Sequence, residues 1–247
     1  MANLWTRKLL KRFGALELAQ SIKRRFAYVE KAFMPCTPHL LIAVNKAMRW
    51  CAENDSSEPG DYLEFGIFRG FTLWYAQALA REMGTQRMRF FGFDSFFGLP
   101  PLRGVDREGE FQEGAYYSSR KEVEKYLIQH GVDWKRTFLL EGWFDKTLTE
   151  QTRRRYGLKK CSVCVVDCDL YESTRLVLEF VESLMVGQML ILFDDWHNFG
   201  NSPAKGEQKA FAEFLAGRPH LTAEPFVEFG GHGKGFIVRS RGARREG

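Results

Sequence analysis

Five short segments, almost wholly apolar and most ending at or near a carboxylate, limit this chain's fold more than anything else in it. They are DYLEFG, MRFFGFD, TFLLEG, CSVCVVD and QMLILFDD, and stretches of helical periodicity such as FTLWYAQALAREMG, YESTRLVLEFVESLMVG and KGEQKAFAEFLAG stand between and after them. Strands that are apolar on both faces belong to a parallel sheet covered by helices on both sides. Strands alternating with helical segments are the pattern of crossover units. The closing run EPFVEFG, a Gly230-Gly231 turn and GKGFIVRS reads as an antiparallel hairpin added at the sheet edge. The expected fold is therefore α/β, with a mostly parallel seven-stranded sheet. Asp94, Asp167 and Asp194 fall near the C-terminal ends of their strands, the rim where open α/β sheets bind ligands.

At 247 residues, with 45% hydrophobic and 27% charged side chains, the chain is sized for one such domain with a substantial core. The domain is expected over residues 37–240, opening with Thr37 as N-cap and Pro38 as first residue of a helix through HLLIAVNKAMRWCAEN. A helical basic arm precedes it over residues 1–36, and residues 241–247 form a basic tail. In the arm, Arg7 to Arg12 and Lys23 to Arg25 alternate with leucine, isoleucine and phenylalanine, a pattern suited to docking on a second subunit or to peripheral contact with an acidic membrane. The net charge of +5 is gathered in clusters apart from the main aromatic-rich segments, so nucleic acid is not expected as a partner. No apolar run approaches the length of about 18 residues that a membrane span needs, and a secretory h-region is lacking, which gives a cytoplasmic expectation. Of the five cysteines, Cys161 and Cys164 have C-x-x-C spacing. Strand positions three apart point to opposite faces, so they read as small buried hydrophobes and not as a metal or redox pair.

The turn after the first strand, Glu64 to Gly70, carries Gly66 and Gly70 but lacks the middle glycine of G-x-G-x-x-G. A pyrophosphate wants close backbone approach there, so a phosphate-free zwitterion fits more easily than a dinucleotide. Asp94 stands where an acid accepts ribose hydroxyls, or caps a helix. Two acidic clusters, Asp167-Cys168-Asp169 and Asp194-Asp195, follow neighbouring strands without lysine or arginine close in sequence. Anions packed at one rim call for a cation or raised pKa values, and oxygen donors favour Mg²⁺, Mn²⁺ or Ca²⁺; the alternative makes Asp169 and Asp194 helix caps. The segment 95–136 contains a helical stretch, RKEVEKYLIQHGV, behind an aromatic, Gly/Pro-rich half, and is read as a lid over cofactor or substrate.

The runs EFGIFRG, FGFDSFFGLP, EGWFDKTL, VVDCDLYEST and ILFDDW, in that order between Asp61 and Phe214, resemble the macrocin O-methyltransferase family, whose members methylate sugar hydroxyls on antibiotics. The resemblance implies the Rossmann-like class I methyltransferase fold, S-adenosylmethionine as cofactor, a divalent metal with Mg²⁺ first, and a small-molecule hydroxyl acceptor such as a sugar. It places Glu64, Gly66, Arg69 and Gly70, with Phe68 among them, on the methionine side of the cofactor. Asp94 and Ser95 fall at the ribose, and Gly142, Trp143 and Phe144 near the adenine. Asp167, which also borders the cofactor, Asp194 and Asp195 match metal ligands, and Asp169 matches the general base, with His197 an alternative base or a structural hydrogen-bonder. Phe68 departs from the family's usual tryptophan and Phe97 from an acidic residue. The competing readings are a nicotinamide-dependent oxidoreductase and a non-catalytic nucleoside-binding protein of the same fold.

Overall fold

The structure, a computed structural model, describes residues 38–54, 59–85, 87–109 and 111–240. The expected basic arm and tail, with their subunit or membrane contacts, lie outside these residues.

Five parallel strands form the body of the sheet: β1 (Asp61–Phe65), β2 (Phe90–Asp94), β3 (Thr137–Glu141), β4 (Cys161–Val166) and β5 (Gln188–Phe193). The hairpin of β6 (Leu221–Phe229) and β7 (Gly233–Ser240) completes it, with β7 antiparallel to both β5 and β6. The strand order is β3-β2-β1-β4-β5-β7-β6. The chain winds outward from β1 to β3 and then returns to lay β4 against the other side of β1. The switch point, where crossovers leave in opposite directions and a crevice opens, is therefore between β1 and β4.

Alternation along the strands divides the core into two layers. Tyr62, Phe90, Val163, Val165, Leu190 and Leu192 meet α1 (Pro38–Asn54), α2 (Phe71–Glu82) and α3 (Arg120–Gln129) through Val44, Met48, Leu73, Leu79, Val123 and Leu127. On the other face Leu63, Phe65, Phe91, Phe93, Ile191 and Phe193 meet α6 (Tyr171–Glu182) and α8 (Gly206–Ala216) through Val177, Val181, Phe211 and Phe214. Burying each of the larger of these side chains stabilises by about 1.5–3 kcal/mol, which is why apolar strands with little amphipathic alternation form the centre. Two short helices, α4 (Phe144–Thr147) and α5 (Glu150–Tyr156), follow β3, and a single turn, α7 (Asn198–Asn201), with left-handed Phe199 and Gly200, follows β5. Nothing periodic in EQTRRRY announces α5; Thr149, accepting from the Thr152 N–H, and the left-handed C-cap Gly157 define it.

The strand geometry corrects one premise about the cysteines. Asp61 pairs with Cys161 but Tyr62 with Val163, so a bulge at Ser162 shifts the alternation. Cys161 and Cys164 consequently join the same core layer. Both are free and fully buried thiols, and burial pushes each well above the ordinary thiol value, as expected of small hydrophobes. Among the described residues no helix is long and apolar enough to cross a membrane.

Candidate active site

The hydrogen-bond ladder continues one residue past each parallel strand and aligns the rim. Gly142 donates to the Asp94 carbonyl, Gly66 to Phe93, Asp167 to Phe65 and Asp194 to Val166, at 2.9–3.0 Å. The expected residues thus lie in one row, from Gly142 and Asp94 through Gly66 to Asp167 and Asp194. Backbone crowding in that row explains Gly66: at φ +86° a Cβ would sit 1.8 Å from the Asp167 carbonyl oxygen.

On the β1–β2–β3 side the polar groups are satisfied. Asp94 Oδ2 accepts the backbone N–H groups of Ile67 at 2.9 Å and Phe68 at 3.2 Å, and Oδ1 accepts that of Phe96 at 2.7 Å. One carboxylate therefore pins the Gly66–Gly70 turn to the end of β2. Its pKa is still raised, because burial outweighs those three hydrogen bonds. Glu64, buried beneath the turn, accepts from the Tyr62 hydroxyl at 2.8 Å, and burial pushes it to about 8. Ser95 is occupied by its own turn, with Oγ donating to the Gly98 carbonyl at 2.9 Å and accepting the Phe97 N–H at 3.0 Å. Arg69 stacks its guanidinium over Phe68 at 5.0 Å. Beyond β3, Trp143 is partly exposed, while Phe144 packs edge-on against Phe65 at 5.9 Å.

On the β4–β5 side carboxylates crowd together. Asp169, in the left-handed region at φ +64°, is buried close to Asp195. Burial first, and then the neighbouring acids, push Asp167 and Asp169 well above the carboxylate range. Burial, and after it the charge of Asp195, lifts Asp194 to about 7. Asp195 Oδ1 accepts from Asn198 Nδ2 at 2.5 Å. A fifth acid, Glu207 in the first turn of α8, accepts the Asp195 backbone N–H at 3.1 Å and is buried among the others. Sequence reasoning missed it, although the signal was present: Ala210, Phe211 and Phe214 follow at helical spacing and place Glu207 on the buried face.

The alternative that Asp169 caps a helix does not describe the structure. The N-cap of α6 is Leu170, without a side-chain cap of its own. The cap comes instead from buried Asp106, whose oxygens accept the N–H groups of Tyr171 at 2.8 Å and Glu172 at 3.3 Å. Asp106 lies in a 3₁₀ turn (Gly104–Glu108) within the expected lid, so that segment is fastened to the acid side of the rim. A Lys205–Glu108 ion pair at 2.8 Å adds a second tie. The later half of the 95–136 segment behaves differently, for α3 supplies Val123 and Leu127 to the core.

The histidine beside the acids is not His197. His197 Nδ1 is 2.7 Å from Asn201 Oδ1, whereas His232, in the turn of the β6–β7 hairpin, places Nδ1 2.7 Å from the Asp194 carbonyl oxygen and 3.8 Å from its Oδ1. Only the hairpin register brings His232 there, and no local motif signals it.

Residues 41–214 match the Macrocin-O-methyltransferase (TylF) family. The chain belongs to that family. It is 27% identical over 172 residues to the 8-demethyl-8-(2,3-dimethoxy-alpha-L-rhamnosyl)-tetracenomycin-C 4'-O-methyltransferase of Streptomyces olivaceus, covering 66% of this chain and 64% of that one. The chain thus spans somewhat less than two thirds of that relative. Among solved structures, the O-methyltransferase NovP superposes with a TM-score of 0.67 at 21% identity, covering 81% of this chain and 79% of that one. TomG from Streptomyces achromogenes, an O-methyltransferase solved in complex with S-adenosylmethionine, gives 0.53 at 17% identity over 81% and 79% of the two chains. These likenesses establish the class I methyltransferase fold.

The donor chemistry at the acid side fits the divalent cation the family implies. Asp194 Oδ1, Asp195 Oδ2 and Glu207 Oε1 are buried without hydrogen-bond partners, a costly state for anionic oxygens that coordination relieves. As the side chains stand, no group of three or more His, Cys, Asp or Glu among the described residues is arranged to hold an ion, so the fit is one of donor type and not of a formed coordination shell.

Proposed function

We propose that the protein is an S-adenosylmethionine-dependent O-methyltransferase acting on a hydroxyl of a sugar or glycosylated small molecule, with Mg²⁺ held by Asp167, Asp194 and Asp195. The observation that carries this reading is the division of one rim into a hydrogen-bonded half beside the β1 turn and a half of crowded carboxylates with unpartnered oxygens. Family membership and the sugar-directed name of the Streptomyces olivaceus relative support the acceptor class.

In this reading the Gly66–Gly70 turn and Glu64 receive the methionine moiety, Asp94 the ribose, and Gly142 and Trp143 border the adenine. A nicotinamide dinucleotide suits the turn poorly. Its pyrophosphate would seek the N–H groups of Ile67 and Phe68, and those already donate to an aspartate whose charge would repel it. S-adenosylmethionine would supply an electrophilic methyl group, and a Mg²⁺ ion held by Asp167, Asp194 and Asp195 would supply Lewis acidity toward the acceptor hydroxyl. Asp169, held protonated in the bare site by burial and its neighbours, would take the hydroxyl proton once a bound cation favours its ionised form, as the methyl carbon passes from sulfur to the acceptor oxygen. Asp169, with its left-handed backbone, and Asp195 would border the acceptor edge of the site. Orientation supplies much of the remaining rate, because the donor needs no further activation.

The test is transfer of labelled methyl from S-adenosylmethionine to p-nitrophenyl α-L-rhamnoside in the presence of Mg²⁺. Chelator should abolish transfer, and Asp169→Asn should lower kcat by about 100-fold or more while S-adenosylmethionine affinity stays near the wild-type value. Absence of S-adenosylmethionine binding by calorimetry, or full turnover in chelator, would contradict the reading.

A further inference from the structure

Tyr116 occupies a position that neither half of the rim requires. Its backbone is left-handed at φ +53°, a conformation that costs a non-glycine residue on the order of 1–2 kcal/mol and persists only where its surroundings impose it. Here they do: Leu99 donates to the Ala115 carbonyl at 3.0 Å and Gly114 to the Leu99 carbonyl at 2.9 Å, tying the segment just ahead of Tyr116 to the end of the β2 loop. At Gly98 a Cβ would lie 2.5 Å from the Ala115 carbonyl oxygen, so the two strips of backbone are in close apposition.

The ring so placed is one of a row. Tyr116 meets Phe68 at 6.4 Å and 87°, and Phe111 at 6.4 Å and 61°; Phe111 in turn meets Phe199 at 5.4 Å. The row runs from the turn after β1 to the loop after β5 and so passes from the cofactor half of the rim to the acid half. Phe68 and Phe199 also have left-handed backbones, at φ +42° and +57°. Three of the four thus hold a strained backbone that the surrounding structure imposes, a concentration that accompanies functional sites.

Two further facts give the ring a task. Tyr116 remains 58% exposed after making these contacts, and its hydroxyl makes no hydrogen bond to the described residues. Burial, followed by the charges of Asp169, Asp195, Asp167 and Asp194, raises its pKa, so the phenol stays a protonated donor across the neutral range. An aromatic ring with a free donor beside the general base suits a pyranose, which has an apolar C–H face and hydroxyls at its edge.

Resting on the methyltransferase reading above, we propose that Tyr116 is a specificity-determining contact for the acceptor: its ring packs on the apolar face of the sugar, and its hydroxyl donates to the oxygen adjacent to the one presented to Asp169. The Phe68–Tyr116–Phe111–Phe199 row is the wall that holds it there.

The experiment uses the full chain with S-adenosylhomocysteine and p-nitrophenyl α-L-rhamnoside, reading rhamnoside affinity by saturation-transfer NMR and calorimetry, and KM and kcat in the transfer assay. Tyr116→Phe should weaken rhamnoside binding and raise KM about three- to tenfold, the worth of one hydrogen bond, and Tyr116→Ala should do so by more than tenfold. S-adenosylmethionine affinity should be unchanged in both. Wild-type rhamnoside affinity and KM in both variants would overturn the assignment, as would failure of the wild-type protein to bind the rhamnoside while binding S-adenosylmethionine; either leaves the methyltransferase reading standing. A wild-type protein that does not bind S-adenosylmethionine would instead overturn that reading.

Discussion

Asp94 and Asp194 close neighbouring stretches of the same rim, yet they sit in opposite electrostatic states. Asp94 is half-buried, and three backbone N–H groups converge on its two oxygens, so that it serves as the clasp of the β1 turn. Asp194 has one oxygen without a hydrogen bond, as do Asp195 and Glu207 beside it; burial raises all three, and the charge of neighbouring acids adds to it at Asp194 and Glu207. A carboxylate is therefore not a site by virtue of being buried at a strand end. The difference lies in whether the fold itself supplies the donors, or leaves the charge to be met by a proton or a cation from outside.

The largest expected effect separates buried charge in general from that difference. Glu64 holds its proton to about pH 8 in the folded state, whereas the ordinary value is 4.5. The folded protein then binds more protons than the unfolded chain between those values, so this contribution to stability is fully present below about pH 4.5 and is lost as pH rises through about 8. Glu64→Gln keeps the bond to Tyr62 without the ionisation. Urea unfolding at pH 5.5 and 8.5 should show wild type losing about 2–5 kcal/mol more than the variant over that interval. Parallel pH profiles would place the proton elsewhere.

A smaller effect tests why the acids remain free of structural duty. Asp106 caps α6 in place of Asp169, so Asp106→Ala should cost about 1–2 kcal/mol in chemical denaturation. Asp169→Asn should cost no cap and, by removing repulsion, should leave stability equal to or above that of wild type in the absence of metal. A loss in Asp169→Asn matching that in Asp106→Ala would mean that Asp169 also holds the helix.

Much of this comparison is legible in the chain. The apolar strands, the crossover helices and the terminal hairpin follow from periodicity, and Asp94, Asp167, Asp169, Asp194 and Asp195 announce themselves at strand ends. What stays hidden depends on distance in sequence. Asp106 reaches α6 from 65 residues away, and His232 arrives at Asp194 only through the pairing of the hairpin with β5. The bulge at Ser162 reverses the face of Cys161 without any glycine or proline to mark it. Phe68, Tyr116 and Phe199 likewise give no sign of left-handed backbone, since such strain is imposed by tertiary contacts and not by the residue's own preference. Glu207, by contrast, carries a readable signature, an acid on the apolar face of its helix.

The most direct test is a pair of calorimetric titrations, S-adenosylmethionine and Mg²⁺, into wild type, Asp94→Asn and Asp195→Asn. If the rim is divided as described, the losses cross: Asp94→Asn weakens S-adenosylmethionine by about tenfold or more and leaves Mg²⁺ binding intact, while Asp195→Asn loses Mg²⁺ and keeps the cofactor. Two variants that lose both ligands together, or neither, would contradict the division on which the account rests.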